Sequence, residues 1–216
     1  MTEASPGTKE RILDAAERLF AERGIAATSL RAVIAAAGVN LAAVHYHFGS
    51  KEALVAAVVR RRIEPLNRQR LELLDQLERR GARRPPRLAE IVEAFLAPPL
   101  RFGDDPERGE IFLKLMGRLL AEPEMFFGRI ASGQFAEVRD RFLAALGKAL
   151  PHLAAEEIFL RLMFAIGAAA QAALMAPYLE AASGGLCRPA GAEETLRRLV
   201  PFVAGGLRAP TEVQNR

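Results

Sequence analysis

Apolar residues recur at intervals of three and four along almost the whole of this chain, and no segment alternates them with polar ones. That interval belongs to a helix, whose faces repeat every 3.6 residues, and not to a strand, whose faces repeat every two. In "TKERILDAAERLFAERG" the stripe is Ile12, Ala16, Leu19 and Phe20, with Thr8 placed to cap its start and Gly24 to end it. "TSLRAVIAAAGV" predicts a short second helix, capped by Thr28 or Ser29 and stopped at Gly38. Asn40 caps a third over about 41–47, and Ser50 begins a fourth that runs to about Ile63. Pro65 has no amide hydrogen, so a new helix is expected to begin there and run to Gly81. Beyond the breaker "RRPPR", helices are expected at about 88–101, 107–121, 124–149, 155–181 and 192–207. The fold class is all-α.

With 216 residues, half of them hydrophobic, the chain suits one small domain joined to a larger one. The motif described below sets the expected division at 1–55 and 56–216. A single cysteine, Cys187, leaves no internal disulfide and fits a reducing compartment. The opening "MTEASPGTKE" has no basic-then-apolar leader pattern, so a cytoplasmic location is expected. The uncharged run from Leu162 to Leu179 nears membrane-spanning length, but Gln171, Pro177 and many alanines interrupt it. A buried helix, with no membrane association, is the expectation there. The sequence pI near 9.7 is a poor guide to partners. Residues 1–56 hold six Lys/Arg and six Asp/Glu, whereas residues 60–87 hold ten arginines against four acids.

"NLAAVHYHFGSKEAL" (40–54) carries two of the three histidines. Residues two apart on a helix point about 200° from each other, so His45 and His47 cannot chelate one ion from the same helix. No further ligand cluster completes a metal site, and neither a cofactor nor a catalytic group is expected: the chain has no nucleophile elbow and no phosphate-cradling glycine loop. The spacing instead describes a helix-turn-helix, with helices at about 29–36 and 41–47 joined by "AGVN". Leu41, Ala42 and Ala43 then face base edges, where small apolar side chains permit close approach and contact with thymine methyls. Tyr46, His47, Thr28, Ser29 and Lys51 are placed to meet phosphates. The expected partner is double-stranded DNA; the plain alternative is a helical hairpin with a polar tip.

Residues 9–54, with "ERILDAAERLFAERGIAATSLRAVIAAAGVNLAAVHYHFGSKEAL" from Glu10 onward, resemble the N-terminal domain of the TetR family of bacterial transcriptional regulators. The helix-one stripe, the Thr-Ser start, Ala-Gly-Val, Tyr-His-Phe and Ser-Lys-Glu-x-Leu stand in register. The resemblance implies a three-helix DNA-binding domain followed by a larger helical domain, a homodimer, and a repressor released by a ligand. Matching positions give Thr28, Asn40, Tyr46, His47 and Lys51 phosphate contacts, and Leu41, Ala42 and His45 base-facing roles. Two positions depart from the family pattern: Ile34 stands where a small residue is usual, and His45 where an aromatic is frequent.

"GEIFLKLMGRLLAEP", "ALPHL" and "RLMFAIGA" resemble the PsrA-type members of that family, which implies a long-chain fatty acid or acyl-CoA as effector. Read from the residues alone, most large apolar side chains of the second half are core, and a subset could line a cavity for a hydrophobic effector. Phe112, Leu115, Met116, Leu119, Phe127 and Phe164 are the candidates, with Arg118 and Gln171 as polar partners for its head group. For Arg118 a structural ion pair is the plainer role. The last two long helices, rich in small residues, are expected to form a four-helix dimer interface. Two rivals remain at this point. One is a related regulator that senses another apolar or aromatic compound; the other is a helical lipid carrier or enzyme that keeps a vestigial helix-turn-helix.

Overall fold

The structure, a computed structural model, describes residues 7–81, 85–121 and 135–210. All of its regular elements are helical: α1 (Thr8–Arg23), α2 (Leu30–Ala37), α3 (Leu41–Phe48), α4 (Lys51–Arg80), α5 (Leu88–Gly103), α6 (Gly109–Ala121), α7 (Ala136–Ala149), α8 (Ala155–Met175) and α9 (Ala192–Arg208). A 3-10 turn at Ala176–Tyr178 and one helical turn at Leu179–Ala182 follow α8. No strand occurs among the described residues. The first part of the helix expected over 124–149 lies outside them.

Two compact units form. The first comprises α1–α3, α4 as far as Pro65, and α6; the second comprises the rest of α4 with α5 and α7–α9. Packing therefore divides the chain differently from the 1–55 boundary expected from the motif, because α6 returns to pack on α1. In the first unit α2, α3 and α6 all lie against α1, whose Ile12, Leu19 and Phe20 are buried as the stripe requires. Thr8 does not cap α1; the cap position falls one residue earlier, on Gly7. Gly24 follows the helix at φ 87°, ψ 159°, a combination nearly closed to side-chain-bearing residues.

Glu17, 3 % exposed, ties α1 to α4. It accepts hydrogen bonds from Arg61 Nη2 and from Arg62 Nε and Nη2, the latter two at 2.5 and 2.8 Å. Arg61 also meets Asp14 at 2.7 Å and Glu10 at 3.2 Å. Burial alone would lower the Arg61 pKa, but hydrogen bonds to Glu17 and Asp14 outweigh it and hold the guanidinium above its ordinary value.

The second unit closes around one apolar cluster drawn from α4, α5 and α7–α9, with Leu74, Phe95, Phe142, Leu162 and Val203 among its members. Pro65 does not start a helix. It lies inside α4, which continues past it, and Leu66 and Leu74 beyond it are buried. A proline in mid-helix costs roughly 3 kcal/mol, which such burial on both sides can offset. Pro98 and Pro99 likewise lie inside α5. Pro99 has no N–H for the Phe95 carbonyl four residues back, and that oxygen accepts instead from Arg70 Nε at 2.8 Å. Arg70 also donates through Nη1 to Asn67 Oδ1 at 2.9 Å and lies 4.4 Å above the Phe95 ring. Burial pushes its pKa down to about 10. Arg161, also buried, pairs with Glu157 and caps α9 by donating to the carbonyls of Gly206, Leu207 and Ala209.

The helix expected to be buried over Leu162–Leu179 is not. Only 28 % of its most apolar window is covered. Ile158, Leu162, Ala165 and Ala169 turn inward, while Leu160, Phe164, Gly167 and Gln171 form an exposed face.

Candidate functional site

The helix-turn-helix is built by caps that the sequence encodes locally. Ser29 Oγ accepts from Ala32 N at 3.2 Å to start α2, and Asn40 Oδ1 accepts from Ala43 N at 2.8 Å to start α3. Between them Gly38 takes the left-handed conformation (φ 61°, ψ 42°) that ends α2 and turns the chain. Val33, Ala37 and Val44 are buried and fix α3 on its neighbours, which turns the other side of α3 outward. Leu41, 53 % exposed, and Tyr46, 86 % exposed, stand on that face with Ala42 and His45; Ala43 and His47 are half-buried. The ring of His47 makes an edge contact with Tyr46 at 5.1 Å between centroids.

Thr28 departs from its expected role. Its side chain is 1 % exposed, and its hydroxyl faces the carbonyls of Leu19 and Gly24 at 3.2 and 2.8 Å. Its amide donates to Ile25 O. Thr28 therefore fastens the loop between α1 and α2 and has no group left for a phosphate. The expectation failed because sequence spacing cannot tell an outward hydroxyl from an inward one. Ser29 beside it is exposed, and after capping α2 its hydroxyl proton is still available.

Two cations occupy positions that a helix disfavours. Lys51 is the first residue of α4, and Arg31 lies in the first turn of α2, where the dipole already supplies partial positive charge. Lys51 Nζ donates to Ala26 O at 3.3 Å, which leaves two of its three hydrogens. Arg31 is exposed and pairs with no carboxylate among the described residues. The sequence reading missed Arg31; its signal was an arginine in a first helical turn with no acid three or four residues away. Helix starts that carry an added cation are anion sites.

His45 donates from Nδ1 to the Gly49 carbonyl at 3.1 Å. In the neutral ring that bond puts the proton on Nδ1 and the lone pair on Nε2, a hydrogen-bond acceptor on an exposed side chain. In the major groove such an acceptor matches the exocyclic amines of adenine or cytosine. His45 and His47 stand on separate contacts, one at Gly49 O and the other among the Tyr46 and Phe48 rings.

The candidates for an effector site divide between the two units. Phe112, Leu115 and Leu119 are buried in the first unit and Met116 is half-buried there, on the helix that packs against α1. Arg118 is exposed, and its nearest acceptor is Glu22 O in the last turn of α1, at 3.5 Å. It is not enclosed by the apolar residues that flank it in sequence, because neighbours in a helical sequence point to different sides. Phe164 (72 % exposed) and Gln171 lie on the outer face of α8 in the second unit. Phe127 lies outside the described residues. The second unit does have an apolar crevice, lined by Phe95, Phe142, Leu146, Leu162, Ala165 and Val203 among others. It holds about 10 Å³, room for roughly one water.

Residues 12–58 match the family described as "Bacterial regulatory proteins, tetR family", and residues 93–206 match "Tetracyclin repressor-like, C-terminal domain". The transcriptional repressor KstR2 of Rhodococcus jostii is 41 % identical over 59 residues, which are 27 % of this chain and 29 % of that protein. The repressor Rv3405c of Mycobacterium tuberculosis is 56 % identical over 48 residues, 22 % of this chain and 26 % of that one. The alignments thus span less than a third of the length of these relatives. Among solved structures, a transcriptional regulator from Rhodococcus aligns with a TM-score of 0.56 at 23 % identity, covering 95 % of this chain and all of the other. The fatty acid degradation regulator FadR of Bacillus halodurans aligns at 0.51 with 13 % identity, covering 96 % and 100 %.

Proposed function

The chain belongs to the TetR family of bacterial regulatory proteins, and from that premise we propose a cytoplasmic repressor that binds a near-palindromic operator as a homodimer and is released by a hydrophobic effector. The observation that carries the DNA reading is the pair of cations at disfavoured helix starts, Arg31 and Lys51, beside a recognition helix whose outer face is Leu41, Ala42, His45 and Tyr46. Phosphates at those starts satisfy the exposed amides and the cations together. Ser29, the amide of Asn40, Tyr46 and His47 add phosphate contacts, with Ala43 against the groove wall. Tyr46→Ala should weaken binding to all DNA sequences about equally, whereas Leu41→Ala should change which bases are preferred. Unchanged affinity of a folded Tyr46→Ala protein would remove this docking.

Dimerisation is supported by the outer faces of α8 and α9. Phe164, Leu160 and Phe202 are exposed on two neighbouring helices, with Gly167, Gly205 and Gly206 between them to allow close approach. Phe164 and Gln171 thus serve a partner chain and not an effector. A two-fold dimer places recognition helices about 34–36 Å apart on one face of the duplex. For the effector, the PsrA-like segments support a long-chain fatty acid or its coenzyme A thioester, and an apolar or aromatic drug is the second reading. DNA release titrated against a chain-length series separates them, since each buried methylene adds about 0.8 kcal/mol to the acyl case.

A further inference from the structure

The ring of His45 is held by the turn that ends its own helix. Phe48 O accepts from Ser50 N at 2.8 Å across Gly49, which makes a γ-turn centred on a residue at φ 74°, ψ −51°. Glycine enters that conformation far more readily than other residues, and it brings the Gly49 carbonyl back to α3. That carbonyl accepts from His45 Nδ1 at 3.1 Å, while Gly49 N donates to His45 O at 3.0 Å. A carbonyl can only accept, so in the neutral ring the proton sits on Nδ1 and the lone pair on Nε2. Nε2 meets no protein group among the described residues. Leu41 and Ala42, four and three residues earlier on α3, are exposed beside it, and the short Ala42 side chain cannot screen the ring from a base edge.

We infer that His45 sets the base preference at one base pair under α3, where it takes adenine or cytosine and excludes guanine and thymine. Adenine N6 and cytosine N4 donate into the major groove, and a lone pair fixed on Nε2 meets either amine. Guanine offers only the acceptors O6 and N7 there, and thymine offers O4 beside its methyl, so each sets lone pair against lone pair. A free imidazole would escape that clash by moving its proton to Nε2. Here the move would break the bond to Gly49 O. The same bond explains why the two amine bases are not told apart. Adenine places the acceptor N7 next to its amine, but the one donor of the neutral ring is already engaged at Gly49. An Asn or Gln amide, by contrast, answers both adenine groups at once. The signature is therefore a two-base preference at a single position. This inference rests on the proposed docking of α3 in the major groove.

The test is selection of bound duplexes from a randomised library by the full-length protein, at about pH 8, where imidazole is neutral. Wild type should show one position that retains both adenine and cytosine, with guanine and thymine depleted about 5- to 10-fold. His45→Ala should level the four bases at that position and leave the others unchanged. His45→Gln should narrow the position towards adenine, because the amide supplies the missing donor. His45 is exposed, so neither substitution threatens the fold. Preferences that are identical in wild type and His45→Ala overturn the assignment and leave the docking standing. A library from which wild type selects nothing removes the docking, and His45 with it. The ring is also read without DNA. Nitrogen NMR spectra of the histidine rings, with His45→Ala identifying the His45 signals, should show a protonated Nδ1 and a bare Nε2. A neutral His45 ring protonated at Nε2 overturns the assignment whatever the library gives.

Discussion

Arg61 and Arg70 lie nine residues apart in one helix, both drawn out of water, and their surroundings treat them in opposite ways. Arg61 is met by Glu17, Asp14 and Glu10, and Arg62 shares Glu17 with it. Arg70 is met only by dipoles and a ring face. The first arrangement spends its charges on geometry: two cations on one buried carboxylate fix the angle between α1 and α4, and α1 carries the helix-turn-helix. The second leaves a charge unspent next to an apolar wall. The first arrangement closes its electrostatics internally, whereas the second leaves one guanidinium without a counter-ion.

The largest effect should come from opening the closed arrangement. Glu17→Gln removes the buried carboxylate that Arg61 and Arg62 share and should cost about 3 kcal/mol in denaturant unfolding, the low end for a broken buried pair because Arg61 keeps Asp14 and Glu10 and both arginines keep some solvent contact. A cost below about 1 kcal/mol would erase the contrast. Next, Arg31→Ala and Lys51→Met should each lower operator affinity about tenfold and reduce the salt dependence by the equivalent of about one phosphate contact, measured by DNA titration at several salt concentrations. An unchanged salt slope would return these cations to the protein's own surface. Asn40→Ala removes the cap of the recognition helix and should cost about 1 kcal/mol in thermal unfolding. The smallest effect belongs to the open arrangement. Arg70→Met loses a donor to the Phe95 carbonyl, worth about 1–3 kcal/mol, and is relieved of a comparable cost of burying charge. Net stability should stay within about 1 kcal/mol of wild type.

What the sequence made legible was what neighbouring residues decide. The caps at Ser29 and Asn40, the turn at Gly38 and the inward Val44 are set within four residues of themselves, and each stands where periodicity and spacing put it. Thr28 failed by a different physics, since its hydroxyl is claimed by Leu19, nine residues back on another helix. Pro65 failed because a local rule about amide hydrogens lost to burial on either side of it. Arg118 and Gln171 interrupt apolar sequence, but whether a helix face meets a core, solvent or another chain depends on packing from distant segments. Arg70 was hidden for the same reason: "NRQRLELL" reads as an ordinary charged face until α5 covers it.

The bond from Arg70 to Phe95 also makes Arg70 and Pro99 interdependent. Pro99→Ala would return an N–H to the Phe95 carbonyl, and Arg70 would keep only its bond to Asn67 and its place over the Phe95 ring. Arg70→Met, near-neutral in the native background, should be stabilising in that one. A proline at 99 with no donor at 70 would leave the buried Phe95 carbonyl without a partner. Their effects are epistatic, and a survey of single substitutions would record two tolerant positions where there is one committed pair.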